Sequence, residues 1–145
     1  MVGFAKIRSN AIKINVSGIP YRVDSALAKM LEDAIGKSEV STDSAVTLNF
    51  CDPGYSAANG GFHPVEIRVS QKGAIEFITD FAYDSSGPFA ELVKEIDFDF
   101  ACGVFGHFGR DFPIAAGREL FGIWQQNFLS YFDMGVYQVE VQCDG

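Results

Sequence analysis

Cys102, His107, Arg110 and Asp111 are the residues of this chain best equipped for chemistry, and one short segment holds all four. A thiol beside an imidazole that a carboxylate orients is the arrangement of a nucleophilic catalyst. Cys102, His107 and Asp111 supply one of each. Cys102 and His107 are also metal donors, to which Cys51, His63 or Cys143 would have to be added. Zinc sites use three or four ligands and usually a tight Cys-x2-Cys pair, whereas the spacing here is Cys-x4-His and no such pair occurs. Two donors in one segment arise readily by chance. The expectation is therefore buried or incidental Cys and His, with no metal, no cofactor and no established catalytic residue.

Carboxylates form the second set. Glu95, Asp97 and Asp99 alternate with Ile96, Phe98 and Phe100, which puts three acids on one strand face, with Glu76 and Asp80 on a neighbouring strand. Paired carboxylates do acid–base work when their environments push their pKa values apart, and an open strand face in water does not do that. A solvated outer face follows, or a contact surface for a basic partner protein. Gly103, Gly106 and Gly109 recur every third residue, but no Gly-Lys-Ser/Thr follows and phenylalanines interleave, so they do not match a phosphate loop. Arg110 and Arg118 flank the expected start of a helix, whose free N–H groups favour anions. With Trp124 on the same helix they form the candidate ligand-binding set. Asn59 to Pro64 reads as a glycine turn leading into a strand, with His63 held extended before proline and structural or solvent-facing.

The element that must position most of these groups spans residues 109–137. At 100° per residue, Leu120, Phe121, Trp124, Phe128, Tyr131 and Phe132 share an arc of about 120°, with Ile114 at its edge and Gly117 inside it. One long helix with a core-facing stripe is expected, entered through Asp-Phe-Pro and stopped at Gly135. Ile123 and Leu129 fall on its polar side, where a neighbouring loop or a second subunit would cover them.

Period-two alternation predicts strands over residues 11–16, 45–51, 65–70, 74–83, 91–100 and 135–143. The stretch 74–83 is apolar on both faces and reads as central. Gln71-Lys72-Gly73 makes a hairpin turn. Asp24 or Ser25 caps a helix running to about Ile35, with Gly36 as its stop. Residues 1–9 read as a loose start, and 101–110 as an irregular aromatic loop. The order is β-α-β-β-β-β-α-β. Short turns between successive strands make them antiparallel. An α+β fold follows, with a curved antiparallel sheet packed on the long C-terminal helix, in the manner of cystatin or nuclear-transport-factor rolls.

The totals narrow the class. A chain of 145 residues with 48% hydrophobic content suits a single domain, 1–145, with a substantial core. A net charge of −8 argues against nucleic acid, which needs clustered Lys and Arg. Three cysteines without a pairing pattern fit reduced thiols, and no stretch approaches 18 apolar residues. A cytoplasmic protein with no membrane contact is expected.

GGFHPVEIRV (60–69), FITDFAY (77–83), AELVKEIDFDF (90–100) and FGRDFPIAAGRELFGIWQQNFLSYFDMGVYQVEV (108–141) are not generic phrases. In them the chain resembles a bacterial family of Vibrio- and Shewanella-like organisms, domain of unknown function 2787. The resemblance runs from about residue 45 onward. It implies an α+β roll and brings no reaction and no functional residues. The expected function is a non-catalytic binding or protein-interaction module, a monomer or homodimer, meeting its partner through Glu95, Asp97, Asp99, Ile123 or Leu129. The alternative is a small-molecule binder with an aromatic cavity between helix and sheet. An enzyme built on Cys102, His107 and Asp111 comes third.

Overall fold

The computed structural model describes residues 12–84 and 87–144. Helix α1 (Ser25–Ser38) starts where the Asp24 carboxylate accepts the Ala26 N–H, an N-cap. Its buried face is Leu27, Met30, Leu31 and Ile35. Gly36 does not stop it. The helix runs one half-turn further, and Glu39 closes it in the left-handed conformation at φ 61°.

Six strands follow: β1 (Val46–Cys51), β2 (Val65–Val69), β3 (Ile75–Asp84), β4 (Glu91–Asp99), β5 (Val104–His107) and β6 (Arg110–Pro113). A 3-10 turn (Ile114–Gly117) leads into helix α2 (Arg118–Asp133), and β7 (Gln138–Cys143) ends the chain. They form one open sheet in the order β6-β5-β4-β3-β2-β1-β7, with every neighbouring pair antiparallel. β3 is the middle strand, as its two-sided apolar character implied. β7 returns after α2 to pair with β1 at the far edge.

Val46, Leu48 and Phe50 of β1, Val65, Ile67 and Val69 of β2, Ile78 of β3 and Phe98 of β4 are buried and join the helix faces in one core cluster. Between them along the strands lie Asn49, Glu66, Arg68 and Asp97, the polar side of a sheet covered on one face. Phe121, Trp124 and Phe128 carry the buried stripe of α2, each worth roughly 1.5–3 kcal/mol of burial.

Four expectations need correction. Within residues 11–16 the described part, 12–16, makes no strand, only a parallel bridge from Asn15 to Ala74. The Ile14 N–H goes to the Glu32 carboxylate and the Asn15 N–H to the Gly73 carbonyl, which leaves no ladder to extend. Ile12, Ile14 and Val16 still pack on the core. Gly73 is required there, since at φ 90° a Cβ would stand 1.9 Å from the Lys13 carbonyl oxygen. Residues 1–9 lie outside the described residues.

Residues 101–110 are not an irregular loop. β5 and β6 pair through Gly106–Asp111 and His107–Arg110, and Phe108 and Gly109 make the turn at φ 52° and 78°. Both values are positive, as a two-residue hairpin turn of the primed type requires. This hairpin takes the first residues of the long helix expected from 109, so α2 begins only at Arg118. Gly117, just before it, packs against Phe105 so closely that a Cβ would meet the ring at 2.8 Å. Gly135, at φ 78°, follows the helix end as expected.

Finally, the order is α-β-β-β-β-β-β-α-β. The class is α+β with an open seven-stranded antiparallel sheet and a C-terminal helix.

Candidate functional site

Three acid–base side chains converge where β2, β3 and β4 pass beneath α2. His63 comes from the loop before β2. That loop is organised by Asp52, whose carboxylate accepts the Gly54 N–H at 2.8 Å and the Phe62 N–H at 3.0 Å. Gly61, at φ 127°, lets the chain pass Asp52, where a Cβ would stand 2.9 Å from a carboxylate oxygen. The loop is thereby held, and Phe62 and His63 turn towards α2. Phe62 packs on Tyr131 of the helix with ring centroids 4.6 Å apart.

Asp80 lies on the covered face of β3, opposite Val65 and Ile96. Its Oδ2 accepts the Trp124 indole N–H at 3.0 Å and its Oδ1 stands 2.9 Å from His63 Nδ1. Glu95 arrives by a β-bulge. Asp80 pairs with Ile96 and Phe81 with Lys94, so Glu95 is the extra residue on β4. A bulge re-aims a side chain, and here Glu95 Oε1 comes within 3.4 Å of the same His63 nitrogen. The three side chains are 37%, 12% and 22% exposed in the order His63, Asp80, Glu95. His63 is therefore the group nearest solvent and Asp80 the deepest.

His63 and Asp80 form one end of a cavity of about 330 Å³ between α2 and the sheet, and Glu95 stands beside His63 lining a separate hollow with Lys94 and Phe108. The walls of the cavity are aromatic, from Phe62, Trp124, Phe128, Tyr131 and Tyr137, with Ile123 and Asn127 on the helix beside them. No Lys or Arg lines it among the described residues. Burial raises the Asp80 pKa above the ordinary carboxylate range, helped by the negative charge of Glu95 and opposed by His63 and the indole. Burial likewise pushes the Tyr137 phenol up. A perturbed acid in an aromatic cavity is the usual physical mark of a binding site.

The family model for "Protein of unknown function (DUF2787)" matches residues 25–142. The chain belongs to this family. Two solved structures from Vibrio cholerae are similar to it. One is the hypothetical protein VC0508 of the VSP-II pathogenicity island, 34% identical, with a TM-score of 0.78, covering 90% of this chain and 98% of its own. The other is the conserved hypothetical protein VC1805 of pathogenicity island VPI-2, 34% identical, with a TM-score of 0.73, covering 84% and 95%. That second protein is described as sharing structural homology with the human P32 protein. No curated protein matches the chain.

In this member of the family the four residues of the Cys102–Asp111 segment are dispersed along the β5–β6 hairpin. Cys102 is exposed in the turn before β5 and His107 closes the other end of that strand, so β5 separates thiol from imidazole. A hydrogen bond with Asp99 raises the Cys102 pKa, the opposite of what a nucleophilic thiol needs. Asp111 pairs across the hairpin with Gly106. Arg110 sits on β6 over the Phe112 ring, well before the start of α2. Arg118 donates to the Pro20 carbonyl at 3.1 Å. Of the ligand-binding set, Trp124 alone reaches the cavity.

The acidic row divides as well. Asp97 accepts the Thr79 hydroxyl at 2.7 Å and Asp99 accepts the Cys102 N–H, while Glu95 turns to His63. Leu129 packs against the core, and Ile123 is exposed beside the cavity. His63, expected to be structural or solvent-facing, stands 2.9 Å from Asp80 and 3.4 Å from Glu95. Its signal in the sequence was weak, because its partners stand 17 and more residues away. No helix among the described residues is long and apolar enough to cross a membrane.

Proposed function

We propose that the protein is a non-catalytic binding module whose ligand is a small molecule held between α2 and the sheet. The observation that carries this reading is the pairing of aromatic walls with one polar end, the His63–Asp80 pair that Glu95 backs. Ligand cavities are mostly apolar, with a few placed polar groups that fix orientation, and their volumes begin near 300 Å³. The cavity of about 330 Å³ suits a compact, flat ligand. Asp80 has both oxygens engaged, by His63 and by the indole, and so serves to hold the cluster. A larger groove of about 520 Å³ lies between α1 and β7, but its charged groups are Lys29, Asp33 and Lys37, and Lys29 pairs with Asp33 on the exposed helix face. It lacks a convergent polar end, which is why the smaller cavity is preferred.

Trp124 is the only tryptophan of the chain, so its indole N–H gives a single resonance. Titration with flat aromatic fragments such as indole, quinoline and benzamidine is expected to shift that resonance saturably. Asn127→Phe, which narrows the cavity from the exposed side of α2, should abolish the shift. Absence of any shift, or shifts that survive Asn127→Phe, would remove the reading.

A further inference from the structure

We propose that His63 Nδ1, Asp80 Oδ1 and Glu95 Oε1 form a three-ligand site for a first-row divalent transition-metal ion such as Zn²⁺ or Mn²⁺, at the end of the cavity that His63 and Asp80 line. This deepens the binding reading, since the ion would anchor the ligand's head group, and it rests on that reading only for this last step.

Four observations carry it. The three donor atoms come from a loop, a strand and a bulge, yet all lie within 4.8 Å of one another. With metal–ligand bonds of about 2.0–2.2 Å, ligands at octahedral or tetrahedral angles stand roughly 2.9–3.5 Å apart. His63 Nδ1 is 2.9 Å from Asp80 Oδ1 and 3.4 Å from Glu95 Oε1. Charge points the same way. Two carboxylates face one imidazole, so acidic side chains outnumber basic ones in the cluster, and among the described residues no Lys or Arg lines the cavity that His63 and Asp80 open on. A dication at the centre offsets that acidic excess. Next, the Trp124 indole N–H holds the other oxygen of Asp80 at 3.0 Å, the kind of outer hydrogen bond that orients a ligating carboxylate. The bulge supplies the last observation, because without it Glu95 would stay with Asp97 and Asp99 on the far face.

One imidazole and two carboxylates without thiolate suit Zn²⁺, Mn²⁺ or Fe²⁺ better than Cu(I). Three protein ligands leave at least one position free, the pattern of sites where the ion itself meets a small molecule. Metal ligands bind in their deprotonated form, so protons compete with the ion and uptake weakens as pH falls.

The test uses the full chain, stripped with EDTA and titrated with ZnCl₂ or MnCl₂ alone by calorimetry and native mass spectrometry. One equivalent of ion is expected. Glu95→Gln and His63→Ala should each weaken it at least tenfold, with circular dichroism confirming that Glu95→Gln remains folded. Trp124→Phe should weaken it by about tenfold, as removal of outer-shell partners does. The double variant Cys102→Ser, His107→Ala should bind as the parent does. No saturable uptake of either ion overturns the proposal, and so does uptake that survives both Glu95→Gln and His63→Ala or vanishes in the Cys102/His107 variant. Fragments that still shift the Trp124 resonance when metal uptake has failed would refute the metal and leave the cavity reading standing.

Discussion

The sheet of this protein contains two bulges that each deliver a glutamate, and their surroundings differ. Between β2 and β3, Arg68 pairs with Phe77 and Val69 with Ile75, which makes Glu76 the extra residue. Glu76 lies 2.8 Å from Arg68 Nε, Arg68 Nη1 lies 3.2 Å from Asp144, and Asp144 accepts the Thr47 hydroxyl at 3.0 Å. Between β3 and β4, the extra residue Glu95 joins Asp80 about His63. Both clusters place two carboxylates round one basic side chain. Arginine is permanently charged and offers several donors in a fork, so the first cluster is held by two ion pairs, although the buried Arg68 Nε makes no well-aligned hydrogen bond. Histidine has two ring nitrogens and a labile proton, and the second cluster opens on an aromatic cavity. The first cluster closes the sheet surface.

Substitutions should separate the two, and the largest effect is expected at Asp80. Asp80→Ala strips the buried Trp124 N–H and His63 of their acceptor and should cost about 1–3 kcal/mol in denaturant unfolding. In the outer cluster the Asp144 side chain is 23% exposed and pairs with the more open Arg68, so Asp144→Ala should cost below about 1 kcal/mol. A comparable loss at both positions would erase the distinction.

The pH dependence of stability comes next in size. Because the folded-state pKa of Asp80 is raised by burial, the native protein holds that proton more tightly than the unfolded chain. The contribution is therefore fully present below the ordinary carboxylate range, near about pH 4, and is lost as pH rises through the raised value. Relative to Asp80→Asn, the parent should lose stability on going from about pH 4 to about pH 7. A constant difference between the two proteins across that range would count against it.

Salt should produce the smallest effect. Raising ionic strength to about 1 M, where charges are screened beyond roughly 3 Å, should diminish the cost of Arg68→Met. It should leave the cost of Asp80→Ala nearly unchanged, because burial beneath α2 keeps screening ions away from Asp80. Equal salt sensitivity would contradict the contrast.

Much of the frame was legible because periodicity reports burial. Val46, Leu48 and Phe50 alternate and are all buried, as are Val65, Ile67 and Val69. The rings of α2 share one stripe, and Phe121, Trp124 and Phe128 are buried along it. The β5–β6 hairpin was hidden because its turn is Phe108-Gly109, and a phenylalanine at positive φ is no turn signal. At 100° per residue Gln125 falls outside the apolar arc of the helix, yet it is buried, where its Oε1 accepts the Asp24 N–H at 2.8 Å and ties the two helices. The candidate site was illegible for a related reason. His63, Asp80, Glu95 and Trp124 share no local spacing, and what unites them is strand register, including a bulge that shifts Glu95 against its own alternation. Alternation put Glu95 with Asp97 and Asp99, and only the pairing of β3 with β4 takes it out.

The central claim is that the His63–Asp80–Glu95 cluster serves a ligand whereas the Arg68–Glu76–Asp144 cluster serves the fold. Denaturant midpoints of Glu95→Gln and Glu76→Gln, measured side by side at neutral pH, test it most directly. Glu95→Gln removes like-charge repulsion with Asp80 and should leave stability unchanged or raised, whereas Glu76→Gln loses an ion pair with Arg68 and should lower it. A loss in Glu95→Gln as large as that in Glu76→Gln would show that both bulges are structural.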